Sequence, residues 1–296
     1  MKNLKPVAIS DSNLKLSPLV LGMWHIHELA ADTFDILIKN ALEVGITTFD
    51  HADIYGDYQC EKIFGKWLKN NKSDRQSIQL VSKCGIKLIS SRRPEHRVKH
   101  YDTSAGHIIA SAEKSLKNLK AEYLDLLLIH RPDPLLEPEE VSSAFDRLQH
   151  QGKVKFFGVS NFTAAQFQML QHACDMPLVT NQLEISLSNN QPMFDGTLDY
   201  FLSKNIQPMA WSPLGGREKI KKLVAAKQVK ELAVKYNLEE GNLLISWLLQ
   251  HPAGIIPVLG TMNPQRVASA PTALGITWDK QDWFALLELA RGERVP

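Results

Sequence analysis

Eight strand-length apolar runs, each followed by a helical stretch, restrict this chain more than any other feature. Leu19 to Trp24 is the first. Thr33 to Val44 then sets Phe34, Leu37, Ile38, Ala41 and Leu42 on one helical face, and Gly45 stops that helix. Ile46 to Asp50 reads as a strand and Gln59 to Leu68 as a helix; Ile78 to Ser82 and Ser104 to Leu119 repeat the pair. Leu124 to Ile129, written Leu-Asp-Leu-Leu-Leu-Ile, leads to a helix over Glu139 to His150 with Pro138 in its first turn. Val154 to Val159 precedes Thr163-Ala164-Ala165-Gln166, which has the spacing of a capping box and starts the fifth helix. Leu178 to Ile185, Gln207 to Trp211 and Ile255 to Leu259 complete the strands. Helices are expected near Leu198 to Ser203, over 218–236 and 240–250, and near Pro264 to Ala270. Strands apolar on both faces suit a parallel sheet covered by helices. Eight such units close a (β/α)8 TIM barrel of about 250 residues. The surplus of the 296-residue chain is an N-terminal β-hairpin, Val7 to Ser10 and Leu14 to Leu16 around Asp11-Ser12-Asn13, and an extra C-terminal helix, Lys280 to Ala290. No linker, internal repeat or low-complexity segment interrupts it, so residues 1–296 are expected to form a single domain.

In a barrel of this kind the reacting groups sit at the C-terminal ends of the strands. Asp50 closes the second strand, Lys83 the third and His130 the fourth, and Tyr55 stands five residues beyond Asp50. Charge where a buried strand opens out is costly unless it is paired or used. A free phenol titrates near pH ~10, too high for an efficient proton donor at neutral pH. An ammonium beside it favours the phenolate and lowers that value, and Asp50 would keep Lys83 charged. His130 would hydrogen-bond a substrate carbonyl or the phenol. Tyr55 then becomes a tuned general acid, an effect worth ~10²–10⁴ in rate. Singly, these residues have duller explanations: a strand-end cap, a snorkelling lysine, a satisfied buried histidine, a loop aromatic. Their joint spacing points to chemistry. The stretch from Ile86 to Asp102, which holds Arg92, Arg93, His96, Arg97, Lys99 and His100, is long for a barrel loop. It is either a solvated basic loop or a lid over the strand-end face.

Composition removes several classes. An apolar fraction of 44%, a charged fraction of 22% and a net charge of +2 give no reason to expect nucleic acid or a membrane as partner. Cys60, Cys84 and Cys174 are few and unpatterned, which fits a reducing compartment and excludes a metal-ribbon spacing. Met1-Lys2-Asn3-Leu4-Lys5-Pro6 has no apolar leader segment, and no window approaches 18 apolar residues. A soluble cytoplasmic protein, monomeric or weakly homo-oligomeric, is expected.

Several motifs are specific. Gly45-Ile46-Thr47-Thr48-Phe49-Asp50 followed by Tyr55-Gly56, then Leu127-Leu128-Ile129-His130, Gly158-Val159-Ser160-Asn161-Phe162 and Asn181-Gln182 together resemble the aldo-keto reductases over nearly the whole chain. The resemblance implies direct hydride transfer between NADPH (as product, NADP+) and a small-molecule carbonyl substrate, with Tyr55, Lys83, Asp50 and His130 as the catalytic tetrad. It also implies a cofactor site. Ser160, Asn161 and Gln182 would bind the nicotinamide carboxamide and Trp211 would stack on that ring. Ser212, Leu214 and Gly215 would follow the pyrophosphate. The segment Gly260-Thr261-Met262-Asn263-Pro264-Gln265-Arg266 would hold phosphate, with Arg266 on the adenosine 2′-phosphate, for which a planar guanidinium is suited. Trp24 would wall the substrate pocket. Two departures stand out: Gly260 lies where many members carry lysine, and Ser269 and Ala270 replace an acidic and amide pair that often contacts adenine. Gly-x-Gly-x-x-Gly does not occur, which removes the usual Rossmann route to the same cofactor.

Two rivals come from other classes. A metal-dependent hydrolase would use His25 and His27 after the first strand. Strands five, six and eight, however, end in Ser160-Asn161, Asn181-Gln182 and Gly260, so the remaining ligands are missing and no metal is expected. A cofactor-binding sensor or regulatory subunit without turnover would keep the fold alone. The presence of all four tetrad residues favours the enzyme.

Overall fold

The structure is a computed structural model and describes residues 4–71 and 75–295; Met1 to Asn3, on which part of the N-terminal reading above falls, lie outside the described residues. Two short strands, β1 (Val7–Ala8) and β2 (Lys15–Leu16), pair antiparallel as the expected hairpin. Next come β3 (Val20–Gly22), α1 (Ala31–Glu43), β4 (Thr48–Asp50), the single turn α2 (Tyr55–Tyr58) and α3 (Cys60–Asn70). β5 (Gln79–Cys84) is separated from α4 (Ala105–Leu119) by β6 (Ile86–Lys87) and β7 (His100–Tyr101), an antiparallel pair at the base of the long basic stretch. The order continues β8 (Leu124–Ile129), α5 (Pro138–His150), β9 (Val154–Ser160), α6 (Ala164–Ala173), β10 (Leu178–Glu184) and α7 (Thr197–Ser203). It ends with β11 (Met209–Trp211), α8 (Arg217–Ala225), α9 (Lys227–Tyr236), α10 (Glu240–Leu249), β12 (Ile256–Leu259), α11 (Pro264–Ser269) and α12 (Lys280–Arg291).

Eight strands close a parallel barrel in chain order, β3-β4-β5-β8-β9-β10-β11-β12, and β12 returns to β3 with Val258 opposite Val20. The period-2 rule for strands sorts their side chains into two cores. Val20, Val81, Leu126, Leu128, Met209, Ile256 and Val258 fill the barrel interior. Their sequence neighbours, among them Leu21, Leu80, Leu127 and Leu259, face the helices. Ile9, Leu14 and Leu16 of the hairpin join the interior set, and Ser10 Oγ donates to Val179 O at 2.7 Å, so the hairpin stoppers the N-terminal end. Each fully buried Leu or Val contributes about 1.5–3 kcal/mol relative to exposure.

Local signals explain the helix starts. Ser104 Oγ accepts from the His107 N–H, and the Thr163–Gln166 capping box forms in both directions. Where one helix was expected over 218–236 there are two. Ala226 is extended (φ −65°, ψ 134°), so α8 and α9 meet at a corner that no glycine or proline marks. The C-terminal helix docks through Trp283, which stacks on Trp247 at 4.5 Å, each indole N–H donating to the other's carbonyl. No helix among the described residues is long and apolar enough to cross a membrane.

Candidate active site

Alternation carries three polar groups to the same end of the interior. Asp50 lies two residues beyond Thr48, Lys83 two beyond Val81 and His130 two beyond Leu128, so each extends the inward-facing row past the apolar core. Lys83 is fully buried, and its ammonium has three donors, all used. They go to Asp50 Oδ2 at 2.6 Å, the His51 carbonyl at 2.9 Å and the Tyr55 hydroxyl oxygen at 3.1 Å. Because Tyr55 accepts from Lys83, its own O–H hydrogen is left to point elsewhere. The His130 ring meets Tyr55 edge-on with centroids 5.9 Å apart, and its Nδ1 is sealed from solvent without a partner. Tyr55 reaches this place on an unusual turn: Gly56, Asp57 and Tyr58 all have positive φ (56°, 53° and 65°). Two of these are non-glycine residues in a sparsely populated region, a cost that the surrounding packing must sustain.

The electrostatics correct one expectation. Burial is the larger influence on the Tyr55 phenol and raises its pKa above the ordinary value; Lys83 pulls it down but does not win. Burial also opposes the Lys83 charge, yet the Asp50 carboxylate and the Tyr55 oxygen outweigh it and hold that ammonium above the usual lysine range. His130 falls well below the ordinary histidine value, through burial first and then through Lys83, Arg131 and Lys99. The centre therefore rests as a neutral phenol, a charged amine and a neutral imidazole.

A second group of side chains is wired to the first. Gln182 Nε2 donates to Asp50 Oδ1 at 2.9 Å, and Ser160 Oγ donates to the Gln182 carbonyl at 2.8 Å. Asn161 Nδ2 donates to Ser160 Oγ at 2.7 Å and to the His130 carbonyl at 3.3 Å, while Asn161 Oδ1 accepts from the Trp211 indole N–H at 2.9 Å. One lone pair of Asn161 Oδ1 and the Gln182 side-chain carbonyl remain for a carboxamide N–H. Asn161 (φ 64°) and Ser212 (φ 47°) are left-handed where β9 and β11 open out, a local strain that accompanies binding sites. Ser212 to Gly215 forms a tight turn with Gly215 N–H on Ser212 O at 2.7 Å. Gly215 is required there, because its φ is +78° and a Cβ would stand 2.3 Å from Ser188 Oγ. These acceptors and the indole fit a nicotinamide. The segment after β12 fits a phosphate chiefly through a charged side chain. Asn263 Oδ1 already caps the Gln265 and Arg266 N–H groups, Thr261 Oγ1 accepts from the Asn263 N–H and a Cβ on Gly260 would meet nothing within 4 Å. The exposed Arg266 guanidinium is the group left to hold it.

The rim brings in residues that the strand-end rule does not reach. Trp24 is 56% exposed and stacks on Tyr55 at 5.8 Å and 15°. Arg131 lies over the Trp211 ring at 5.4 Å, and both Arg131 and Lys99 act electrostatically on His130; among the described residues neither is ion-paired. Lys99 comes from the basic stretch already singled out as a possible lid; Arg131 was missed because loop residues carry no periodicity, and its adjacency to His130 was the available signal. The 86–102 stretch is a strap joined to the Tyr55 turn: Leu88 N–H donates to Tyr58 Oη at 2.9 Å, and Arg92 Nε is 3.3 Å from Asp57 Oδ2. His25 is held by Glu28 at 2.8 Å and His27 Nδ1 lies 3.6 Å from Cys60 Sγ. Among the described residues no three His, Cys, Asp or Glu side chains gather as a metal set.

Comparison with known proteins agrees with this architecture. The profile of the "Aldo/keto reductase family" matches residues 18–291. The chain is 44% identical to a 6-dehydroglucose reductase of Agrobacterium fabrum, covering 99% of this chain and 100% of the relative. It is 41% identical to the oxidoreductase YdhF of Escherichia coli, covering 98% and 99%. Among solved structures it superposes on the thermostable aldo-keto reductase Tm1743, in complex with the inhibitor epalrestat, with a TM-score of 0.81 at 25% identity, over 97% of this chain and 100% of that one.

Proposed function

Because this chain belongs to the aldo/keto reductase family of oxidoreductases, we propose that it reduces aldehydes or ketones to alcohols with NADPH, and that Tyr55, Lys83, Asp50 and His130 perform the proton half of that reaction. The single observation behind this is the saturated Lys83 ammonium, shared between the Asp50 carboxylate and the Tyr55 oxygen. NADPH, when bound, would supply the hydride to the carbonyl carbon. Tyr55 gives its proton to the carbonyl oxygen. Burial keeps the phenol protonated at rest, so the acid stays loaded; the charge left behind forms 3.1 Å from an ammonium that Asp50 holds in place. A preorganised donor aimed at developing charge is worth most in such a dry site. Neutral His130 orients the carbonyl oxygen as a hydrogen-bond donor. Ser160, Asn161 and Gln182 bind the carboxamide and Trp211 supports the ring; Ser212, Leu214, Gly215, Gly260 and Thr261 line the phosphates, and Arg266 takes the 2′-phosphate.

The substrate proposed is a hydroxylated, sugar-type carbonyl compound. Lys99 and Arg131 supply unpaired donors near His130, an arrangement suited to several hydroxyls, and a relative at 44% identity is named a 6-dehydroglucose reductase. The test is steady-state oxidation of NADPH and NADH over a carbonyl panel that includes 6-dehydroglucose. Turnover faster with NADPH is expected, and Tyr55→Phe should lower kcat by ~10²–10⁴ with cofactor affinity nearly unchanged. Tight NADPH binding without turnover on any carbonyl, or an equal loss of both in Tyr55→Phe, would overturn it.

A further inference from the structure

Under the strap, outside the ring of strands, lies a cavity of about 350 Å3 that carbonyl reduction does not use. Asp53 and Tyr58 line it from the segment around Tyr55, Arg93 from the strap and Lys114 from α4. Lys114 is attracted by the Asp53 and Glu61 carboxyls and Arg93 by Asp53, but no close pair forms. Arg93 lies 4.7 Å above the Tyr58 ring and donates to the Arg92 carbonyl, and among the described residues neither Arg93 nor Lys114 forms an ion pair. Their proximity is felt: partial burial, then Arg93 and Lys62, hold the Lys114 amine below the ordinary lysine range. Like charges converging on a hollow create a positive potential that attracts an anion.

The carboxyl facing the cavity answers them only in part. Asp53 Oδ1 is sealed from solvent with no hydrogen-bond partner. Burial, and then the Glu61 carboxyl behind it, push Asp53 well above the usual carboxylate range, which favours the protonated, donating form. Tyr58 is a donor as well, since its oxygen accepts from Leu88 and its own hydrogen is free. Of the other charges lining the cavity, Lys87 is matched by Asp102 at 2.6 Å, and Glu95 stands 64% exposed beside His96. Two cations and the Tyr58 hydroxyl on different walls suit a tetrahedral anion with several oxygens better than a planar carboxylate.

We propose that this cavity, bounded by Asp53, Tyr58, Arg93 and Lys114, is a binding site for a phosphate group, carried either as the free ion or as a small monoester. The test is calorimetric titration of the full chain with inorganic phosphate and, separately, with glycerol phosphate. Wild type, Lys114→Ala and Arg266→Ala are compared; the last reports on the proposed cofactor site. Lys114 is exposed, so its replacement leaves the core intact. Saturable binding weakened at least tenfold in Lys114→Ala and retained in Arg266→Ala is expected. Tighter binding of glycerol phosphate would assign the site to an ester, and the reverse order to the free ion. No saturable binding, equal affinity in wild type and Lys114→Ala, or loss in Arg266→Ala alone would overturn the proposal.

Discussion

Lys83 and Asp50 show how single residues set the behaviour of the centre. Both are almost fully buried, and the carboxylate shares its oxygens between the ammonium and Gln182. Asp50→Asn removes the charge that holds the Lys83 proton while keeping most of the shape. Breaking a buried pair from one side typically costs about 3–5 kcal/mol. The expected result is a drop of that order in unfolding free energy by denaturant titration. The alkaline limb of the pH–rate profile should also move to lower pH, because the uncompensated Lys83 loses its proton sooner. Unchanged stability together with an unchanged alkaline limb would show that the pair is not what keeps the amine charged. Positions of this kind were legible from sequence, because a strand-end residue two places beyond an inward-facing one must face the interior. The pKa balance was not, because it depends on how completely Tyr55 is enclosed.

Between elements, α3 and α4 come together at Gly65. A Cβ built there would lie 2.0 Å from the Asn118 carbonyl oxygen. Alanine is intrinsically better in a helix by ~1 kcal/mol, but overpacking against backbone costs about 1–3 kcal/mol, and backbone has no rotamer to yield. Gly65→Ala is therefore expected to lower the denaturation midpoint; a higher midpoint would mean that the two helices separate easily. The strands and most helices were readable because their apolar residues recur with period 2 or 3.6 and because Thr163, Pro138 and Gly45 punctuate them. Three features escaped. The corner at Ala226 sits in an unbroken helical pattern, the left-handed turn after Tyr55 includes two residues that are not glycine, and the hairpin within the strap is only two residues wide on each side. The place of Arg131 beside the centre escaped with them, because a loop side chain is aimed by tertiary packing and not by a repeat.

The whole molecule carries histidines that folding keeps neutral. His51 is fully buried with both ring nitrogens unpartnered, and burial followed by Lys83 lowers its pKa to about 3; His107, mainly through burial, falls to about 4. The unfolded chain takes up these protons near pH ~6.5 and the native state does not, so stability falls as the pH drops from there towards the folded values. Each group adds ~1.4 kcal/mol per pH unit to the slope within its window. Asp53 and Glu61, raised by burial, act in the opposite sense, so the contribution of His51 is best isolated by difference. Denaturant titrations at pH 7, 6 and 5 should show His51→Leu losing less stability than wild type as the acid increases. Parallel curves would remove His51 from this account.

The hairpin that carries Ile9, Leu14 and Leu16 has a consequence for traffic. With that end stoppered and the interior packed with side chains, no route runs through the barrel, and the strand-end face where Trp24 stands is the open side of the candidate site. Entry and exit therefore share one mouth, a restriction set by the plug at the far end.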